Sequence, residues 1–336
     1  MKRVMVVTNS LTGGGAERSM NLVCNELFRQ GWPIALVPIN SGPPDQVTPL
    51  CEVFPLERQW KSGPLNTLQA MVQFNQIVKS WKPDVVVLNC DLPELFGATL
   101  CRSQKFIVLE HSSTPWAYRK FMGILIRKIL SLRRTKWAAV SPHLSIWPSE
   151  KKPLSVLPNP ITPFSEKQPY DPGDEIRRLV FIGRLSPEKR PDFALEISNA
   201  VSLEVVIIGE GAMRQALEKM SKGLSIHTKF EGQVTNPWSI VRPGDLLLVT
   251  SAFEGDGLVV IEGMQKGIPM LLSDIPDLRR FALPDRFYCQ NLNEFCNRIN
   301  DFHVRPDELI APHEISSVIL NERSVENVVL AWEALL

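Results

Sequence analysis

Short apolar segments of strand length alternate with segments of helical periodicity along almost the whole chain, and this alternation limits the possible folds most strongly. The segment 245–250 is apolar on both faces, as in a parallel sheet that helices cover on both sides. We therefore predict doubly wound α/β architecture with parallel sheets. The predicted strands lie at 4–8, 34–39, 84–89, 105–109, 136–140, 179–183, 203–208, 226–230, 245–250 and 268–272.

The chain is long enough to form two such domains. Its 336 residues, 44% of them hydrophobic, are enough for two ordinary cores. Prolines are concentrated between positions 153 and 172, which indicates a domain boundary. We expect one domain over 1–160, a second over 161–322 and a final helix over 323–336.

A glycine-rich turn after the predicted strand 245–250 carries two carboxylates, Glu254 and Glu262. Gly255 and Gly257 allow a tight turn that brings backbone N–H groups close to a bound group, and the helix that follows directs its positive end to the same place. Glu262 lies about one turn into that helix, so the two carboxylates can bind polyol hydroxyls at two ends of one ligand. Taken alone, the spacing also fits two ordinary acids on a solvated helix.

A second segment supplies positive charge at the end of another predicted strand. After the strand 179–183, the loop carries Arg184 and Lys189. A guanidinium binds two phosphate oxygens at once and an ammonium acts as a mobile point charge, so the pair suits a diphosphate. The alternative is that both are ordinary surface cations.

These two segments read G-R-L-x-P-E-K and E-G-x-G-L-x-x-x-E, and in this order they resemble the family 4 retaining glycosyltransferases of the GT-B fold, the glycosyl transferases group 1. The resemblance extends over nearly the whole chain. Further matches are Gly13-Gly14-Gly15-Ala16-Glu17, Glu110-His111, Ala139-Val140-Ser141 and Leu157-Pro158-Asn159-Pro160. A dinucleotide fingerprint beginning at Gly13 fails, because Arg18 stands where its last glycine is needed.

The resemblance implies two facing Rossmann-like domains with a cleft between them, the final helix crossing back onto the first. It implies transfer of a sugar, with retention, from a nucleotide-diphosphate sugar to a hydroxyl of a glycan or lipid-linked acceptor. Glu254 would contact the transferred sugar, Glu262 the ribose, and His111 the sugar and scissile bond. The expected catalytic residues are His111, Glu254, Arg184 and Lys189. The expected donor contacts are Gly14, Gly15, Arg184, Lys189, Gln233, Val234, Glu254, Gly255, Asp256, Gly257, Leu258 and Glu262.

Several alternatives to these roles stay open at the level of sequence. His111 is also compatible with a hydrogen-bonded histidine at a strand end. The segments around Gly209 and around Gln233 and Val234 are equally compatible with ordinary strand-to-helix turns. A glycosidase pair formed by Glu254 and Glu262 is rejected, because it gives Arg184 and Lys189 no role. No D-x-D motif occurs, and we expect neither a metal nor another cofactor.

Asp256 departs from the family pattern, which usually has an apolar or aromatic residue between the two glycines. Either its carboxylate faces solvent or it contacts a hydroxyl or amino group of the donor sugar. In the second case, substitution by Phe would alter donor preference.

The run from 116 to 137 holds seven Lys or Arg and no acid. Its periodicity predicts a helix over 117–134 with an apolar face and a basic face. The apolar face comprises Tyr118, Phe121, Met122, Leu125, Ile129 and Leu132, and the cations assigned to an acceptor or membrane contact are Arg119, Lys120, Arg127 and Lys128. An anionic membrane surface suits such a helix, and the alternative is a domain helix with a core face and a solvated basic face.

Composition narrows the function further. Residues 1–160 hold 19 Lys and Arg against 10 Asp and Glu, a net of +9, and the remainder holds 18 against 26, a net of −8. The six cysteines form no C-x-x-C pair, so neither disulfides nor a metal site is indicated. No segment resembles a signal peptide or a membrane span, and we expect a cytoplasmic protein, peripheral at the inner face of the membrane if the basic helix binds there.

We therefore predict a glycosyltransferase of lipopolysaccharide, O-antigen or capsule biosynthesis. A sugar-nucleotide epimerase or phosphorylase of the same fold is the alternative. A nucleic-acid binder is disfavoured, because recognition motifs for RNA or DNA are missing. The sequence does not identify the sugar, the nucleotide base, the acceptor or the oligomeric state.

Overall fold

A computed structural model describes residues 1–11, 14–42, 47–59, 63–100, 104–112, 115–116, 119–162 and 175–336. The chain forms two compact units. Unit 1 comprises Met1–Thr162 together with Arg323–Leu336, and unit 2 comprises Pro163–Glu322. Each unit is built around its own parallel sheet.

Unit 1 contains a seven-stranded sheet in the order β3-β2-β1-β4-β5-β6-β7. All its strand pairs are parallel. The strands and first helices are, in chain order, β1 (Val4–Thr8), α1 (Gly15–Arg29), β2 (Ile34–Pro38), β3 (Glu52–Val53), α2 (Pro64–Trp81), β4 (Val85–Asn89), α3 (Asp91–Ala98), β5 (Lys105–Glu110), α4 (Lys120–Ser131), β6 (Thr135–Ala139) and β7 (Ser155–Val156).

Unit 2 contains a six-stranded parallel sheet in the order β10-β9-β8-β11-β12-β13. The order reverses between β8 and β11, which creates the switch point where ligands bind in sheets of this kind. Its elements are β8 (Arg178–Ile182), α5 (Pro191–Val201), β9 (Glu204–Ile208), α6 (Arg214–Ser221), β10 (Thr228–Gly232), β11 (Asp245–Val249), α7 (Leu258–Lys266), β12 (Met270–Ser273), α8 (Pro276–Arg279), β13 (Tyr288–Cys289), α9 (Leu292–Asp301) and α10 (His313–Glu322).

The final helix α11 (Val325–Leu335) belongs to unit 1 and packs beside α1. Val328, Val329, Trp332 and Leu335 are buried in the same apolar cluster as residues of α1 and β1. Burial of several large apolar side chains, each contributing roughly 1.5–3 kcal/mol, holds the last segment against the first domain of the chain.

The central strands of both sheets are buried on both faces, as the apolar runs predict. The fold-class prediction of two parallel-sheet Rossmann-like domains is confirmed. The two-residue strands β3, β7 and β13 are missing from the sequence prediction, because pairs this short carry no detectable periodicity. In the described ranges, no helix is long and apolar enough to cross a membrane.

The inward face of α4 differs from the predicted one. Its buried residues are Gly123, Ile126, Arg127 and Leu130. Trp116 lies so close to Gly123 that a Cβ there would fall 2.4 Å from the indole, which fixes this face against the domain. Much of the predicted apolar face therefore points to solvent: Phe121 is 91%, Leu125 60% and Leu132 73% exposed. Tyr118 lies outside the described residues.

Arg127 is buried, so its assignment to a solvent-exposed acceptor or membrane surface is wrong. The guanidinium lies 2.5 Å from Glu94 of α3 and 2.6 Å from Glu110 at the end of β5. It also donates to the backbone carbonyl of Trp147 at 2.7 Å. A guanidinium can leave water only when carboxylates compensate its charge, and α3 and β5 supply both of them. Arg119, Lys120 and Lys128 remain exposed.

Candidate functional site

Two loops of unit 2 are joined at the carboxyl ends of β8 and β11. The hydroxyl of Thr250 donates to the backbone carbonyls of Lys189 and Arg190 at 3.0 and 2.8 Å. The amide of Ala252 donates to the carbonyl of Glu188 at 2.8 Å. These bonds hold the loop that carries the predicted cations against the loop that carries the first predicted carboxylate.

Glu254 and Lys189 are in direct contact within this pair of loops. The Lys189 ammonium lies 2.6 Å from Oε1 of Glu254, and the hydroxyl of Ser251 donates to the same oxygen at 2.7 Å. The Glu254 side chain is 3% exposed and that of Lys189 is 27% exposed. Among the described residues, Oε2 of Glu254 has no donor. The carboxylate is thus held by one oxygen, with the other available for a ligand hydroxyl.

Arg184 is located in the same loop but points outward. Its side chain is 64% exposed, and its nearest carboxylate, Glu188, is 3.7 Å away. An ion pair this long and this exposed contributes little, so the guanidinium is free to turn towards an anion.

Glu262 lies on α7 and is held by a buried indole. Trp238 donates from Nε1 to Oε2 of Glu262 at 2.7 Å, and both side chains are almost completely buried. Trp238 also approaches Gly263, where an added Cβ would lie 3.7 Å from the indole ring. The bond fixes the direction of the carboxylate, which a charged side chain on a solvated helix would not require.

Two glycines at strand ends of unit 2 stand where a side chain would not fit. Gly257 precedes α7 with φ of +58°, and a Cβ there would lie 3.0 Å from the ring of Phe281. A Cβ on Gly209, which has φ of +138°, would lie 2.0 Å from the carbonyl oxygen of Gly183. The backbone approach at Gly209 brings the loop after β8 onto the end of β9, so this glycine has a structural reason of its own.

Asp256 is 7% exposed, so the alternative in which it faces solvent is wrong. Its carboxylate lies 3.5 Å from the Arg280 guanidinium, which is equally buried. Arg280 also donates to the carbonyl of Gly255 at 3.2 Å, and Asp277 accepts from the amide of Glu254 at 2.9 Å. Residues in and after α8 therefore hold the backbone of the turn that carries Glu254.

The remaining donor contacts predicted in unit 2 lie at the ends of neighbouring strands. Gln233 is exposed and Val234 half-buried immediately after β10. Leu258 is the first residue of α7. Both positions are at the carboxyl edge of the sheet that carries Glu254.

His111 follows β5 in unit 1 and forms a hydrogen bond with a buried amide. Its Nε2 lies 2.6 Å from Oδ1 of Asn89, and the amide nitrogen of Asn89 lies 3.4 Å from the hydroxyl of Thr8. Since an amide oxygen only accepts, Nε2 of His111 is the donor in this bond. The chain Thr8-Asn89-His111 joins the carboxyl ends of β1, β4 and β5.

The glycine loop after β1 leads directly into a helix. Gly14 is the residue before α1, and its amide donates to the carboxylate of Glu17 at 3.2 Å. Gly15 is the first residue of the helix. Gly13 lies outside the described residues. The positive end of α1 is thus at the carboxyl edge of the unit 1 sheet, where backbone N–H groups bind anions.

The carboxyl group of Glu110, which precedes His111, belongs to the buried network around Arg127. Burial raises the pKa of Glu110 to about 7, against the opposing effect of the Arg127 guanidinium. Burial also raises the pKa values of Glu94 and of Asp91, whose carboxylate accepts from the backbone amide of Trp116. Three carboxyl groups therefore face one guanidinium at low dielectric.

The structure brings Lys189 and Glu254 into contact, and it does not bring Arg127 to the surface. Sequence reasoning missed Thr250, Ser251 and Asn89, although polar residues that end apolar strands are a usable signal for them. It also missed Asp277 and Arg280, which no local pattern connects to the Glu254 turn. In the described ranges, no group of three or more potential metal ligands is found, and metal independence stays a prediction.

Comparison with known proteins finds a family match within unit 2. Residues 165–286 match the model of the glycosyl transferases group 1. An α-1,4-N-acetyl-D-galactosaminyltransferase of Campylobacter jejuni, whose name gives a glycan on PP-undecaprenol, is 24% identical over 79% of this chain and 77% of its own. A lipopolysaccharide 1,6-galactosyltransferase of Salmonella typhimurium is 29% identical over 36% of each chain.

Solved structures support the same architecture along the whole length. HepE of Anabaena, solved with UDP and glucose, superposes with a TM-score of 0.76 at 15% identity, covering 99% of both chains. A sucrose-phosphate synthase of Thermosynechococcus elongatus gives a TM-score of 0.79 at 17% identity, covering 100% of this chain and 98% of its own. At these identities the likeness establishes the fold.

Proposed function

We propose that this protein moves a sugar from a nucleotide-diphosphate sugar to a hydroxyl of a glycan or lipid-linked acceptor, with retention. The proposal starts from the match of residues 165–286 to the glycosyl transferases group 1 and from the GT-B type of the whole chain. The observation that carries this proposal is the contact between Lys189 and Glu254 at the carboxyl edge of the unit 2 sheet. It joins a cation for phosphate to a carboxylate for sugar hydroxyls.

Breaking the bond between sugar and diphosphate develops negative charge on the leaving phosphate and positive charge on the sugar ring. Lys189, held in place by Glu254, and Arg184, which can turn towards an anion, are proposed to stabilise the leaving diphosphate. Glu254, held through Oε1, is proposed to accept from a sugar hydroxyl at Oε2. Glu262, oriented by Trp238, is proposed to accept from ribose hydroxyls.

The donor is proposed to be a uridine-diphosphate sugar. The support for this choice is HepE, which has the same fold and was solved with UDP-glucose. The acceptor is proposed to be a lipid-linked glycan or lipopolysaccharide, after the names of the Campylobacter and Salmonella relatives. No metal and no other cofactor is proposed, since the cations of the loop after β8 supply the charge.

Incubation with UDP-sugars without an acceptor separates this proposal from the alternative. A transferase leaves the nucleotide sugar intact apart from slow hydrolysis. An epimerase would interconvert two UDP-sugars, and a phosphorylase would release a sugar phosphate when phosphate is added. Either of the last two results would refute the proposed transfer.

Substitution of Arg184 tests the donor half. Arg184→Gln removes a cation proposed to bind the diphosphate and should raise KM for the donor about tenfold. Arg305→Gln is the matched control, because Arg305 is another exposed arginine of unit 2 in a local pair, 2.8 Å from Glu308. Equal effects of the two substitutions would contradict the assignment.

We also propose that α4 docks on an anionic membrane. The supporting observation is the exposed apolar face of Phe121, Leu125 and Leu132, flanked by the exposed cations Arg119, Lys120 and Lys128. Apolar side chains that enter the headgroup region beside cations bind anionic bilayers. Of the four cations assigned to this surface from sequence, the proposal keeps the exposed Arg119, Lys120 and Lys128 and excludes the buried Arg127.

Sedimentation with vesicles of phosphatidylglycerol and phosphatidylcholine tests this docking. Leu125→Ser should reduce binding several-fold, since it removes an apolar side chain from the interface. Leu330→Ser on α11 is the control, because Leu330 is exposed to the same degree, 60%. Binding that is equally strong in both variants and at high salt would refute the docking.

A further inference from the structure

A cavity of about 500 Å³ in unit 1 has two arginines and no acid among the described residues that line it. It is lined by Arg58, Pro64, Thr67, Leu68, Met71 and Arg119. The cavity lies beyond the carboxyl end of β2, where Asn40 and Arg58 form an isolated parallel bridge. Ligands of parallel sheets bind at this edge.

Arg58 is held in place by neutral partners. Its Nε donates to the hydroxyl of Thr67 at 3.0 Å, and Nη1 donates to Oδ1 of Asn40 at 2.6 Å. A guanidinium has five N–H donors, and within the described ranges both N–H groups of Nη2 lack an acceptor. The side chain is therefore oriented without neutralisation of its charge.

Arg119 adds a second positive charge to the same cavity. It is exposed, and no carboxylate in the described part of the chain forms an ion pair with it or with Arg58. Burial and the charge of Arg119 lower the pKa of Arg58, so the two guanidinium groups repel one another. Two like charges kept together without a counterion are costly unless an anion binds between them.

The surroundings suit an anion attached to an apolar chain. Helices α2 and α4 begin at Pro64 and Lys120, and neither has an acid in its first turn, so their partial positive charges add to that of the arginines. Leu68 and Met71 give the cavity an apolar side. Phe121, almost completely exposed, follows Arg119 by two positions and begins the apolar face of α4.

We infer that Arg58 and Arg119 bind the phosphate or diphosphate head of an amphiphilic acceptor, with its apolar chain running along Phe121. The inference deepens the proposed function, on which it rests for the lipid-linked nature of the acceptor. Guanidinium groups bind phosphate oxygens in pairs, and two of them match a diphosphate. The headgroup would fix the acceptor at unit 1, independently of the donor loops of unit 2.

Calorimetric titration of the full chain tests the site. The protein carries Arg184→Gln and Lys189→Ala, so that diphosphate binding at the donor loops is removed. The probes are inorganic pyrophosphate, geranyl diphosphate and geraniol. We expect geranyl diphosphate to bind several-fold more tightly than pyrophosphate, and geraniol not to bind.

Adding Arg119→Gln should weaken geranyl diphosphate binding about tenfold, and Arg58→Gln with Arg119→Gln should abolish it. Arg119 makes no side-chain bond in the described ranges, so its substitution leaves the fold intact. Arg134→Gln, at another exposed arginine of unit 1, is the control and should change nothing.

Three results would overturn the inference. Binding that survives the double substitution would place the ligand elsewhere. Equal affinity for pyrophosphate and geranyl diphosphate would identify a free phosphate as the ligand, and binding of geraniol would indicate apolar contact alone. A separate titration of the chain with intact Arg184 and Lys189 against UDP-glucose reports on the proposed donor site, so the two failures are distinguishable.

Discussion

The loop after β8 in unit 2 and helix α4 in unit 1 both carry cations, and the fold places the two sets in different surroundings. Lys189 sits at a strand end, partly exposed, in contact with Glu254. Arg127 lies mid-helix and is buried between Glu94 and Glu110. A cation in a strand-end loop has its position fixed by the sheet, whereas the direction of a helical cation depends on acids contributed by other elements.

Substitution of Arg127 gives the largest expected effect on this comparison. Arg127→Ala leaves two buried carboxyl groups without their cation and should lower the free energy of unfolding by about 3–5 kcal/mol. Chemical denaturation measures it. Lys128→Ala, at the next and exposed position, should change stability by less than about 0.5 kcal/mol. Comparable stability of both variants would contradict the burial of Arg127 between the two carboxyl groups.

Substitution of Lys189 should act mainly on transfer. Lys189→Ala removes a charge proposed to stabilise the leaving diphosphate and should lower kcat by about 10²–10³-fold. Lys229→Ala is the matched control, because that lysine also lies 2.6 Å from a carboxylate, Glu231, in the same unit. Steady-state kinetics with donor and acceptor would contradict the role if both variants retained full kcat.

The Asp256–Arg280 pair should have an intermediate effect. Asp256→Asn and Arg280→Gln each loosen the turn that carries Glu254, and each should raise donor KM several-fold with a stability loss of about 1–3 kcal/mol. The double variant should cost less than the sum of the single ones, since the two side chains interact. Additive effects would show that the pair does not act as a unit. Asp256→Phe extends the test: altered donor preference would support a sugar contact, and unchanged donor kinetics would refute it.

Titration of Glu110 gives the smallest expected effect. Because its pKa is raised to about 7, the native state holds this proton more tightly than the unfolded chain does, and the free energy of unfolding should fall as the pH rises from about 5 to 7. Glu110→Gln should reduce this decline by about 1 kcal/mol. If the free energy of unfolding depended on pH in the same way in wild type and variant, the titrating group would not be Glu110. Glu94 and Asp91 are the nearest other candidates.

Much of the fold could be predicted from sequence, because apolar runs with short loops leave few alternatives to parallel sheets. All ten predicted strands occur, within about two residues at their ends. Two motifs predict that Lys189 and Glu254 lie near strand ends of the same sheet, whereas their direct contact is known only from the structure. Periodicity alone failed at α4, where it grouped the buried Arg127 with the exposed cations and left open whether the apolar face that includes Phe121 meets a membrane or the core.

The residues that hold the predicted site residues in place could not be predicted from the sequence. Asp277 and Arg280 reach the Glu254 turn from a segment more than 20 positions away. Asn89 reaches His111 from another strand. Such contacts depend on how elements pack, and a single sequence contains no signal for them.

The most direct test of the central claim is thermal unfolding of the chain with UDP, GDP, CMP and dTDP sugars. If unit 2 binds the donor through Glu254, Glu262 and the two cations, one nucleotide class should raise Tm, and Glu262→Gln should lose most of that shift. The amide keeps an acceptor for Trp238 and removes the charge proposed to bind ribose. No shift with any nucleotide sugar, or an unchanged shift in Glu262→Gln, would contradict the account.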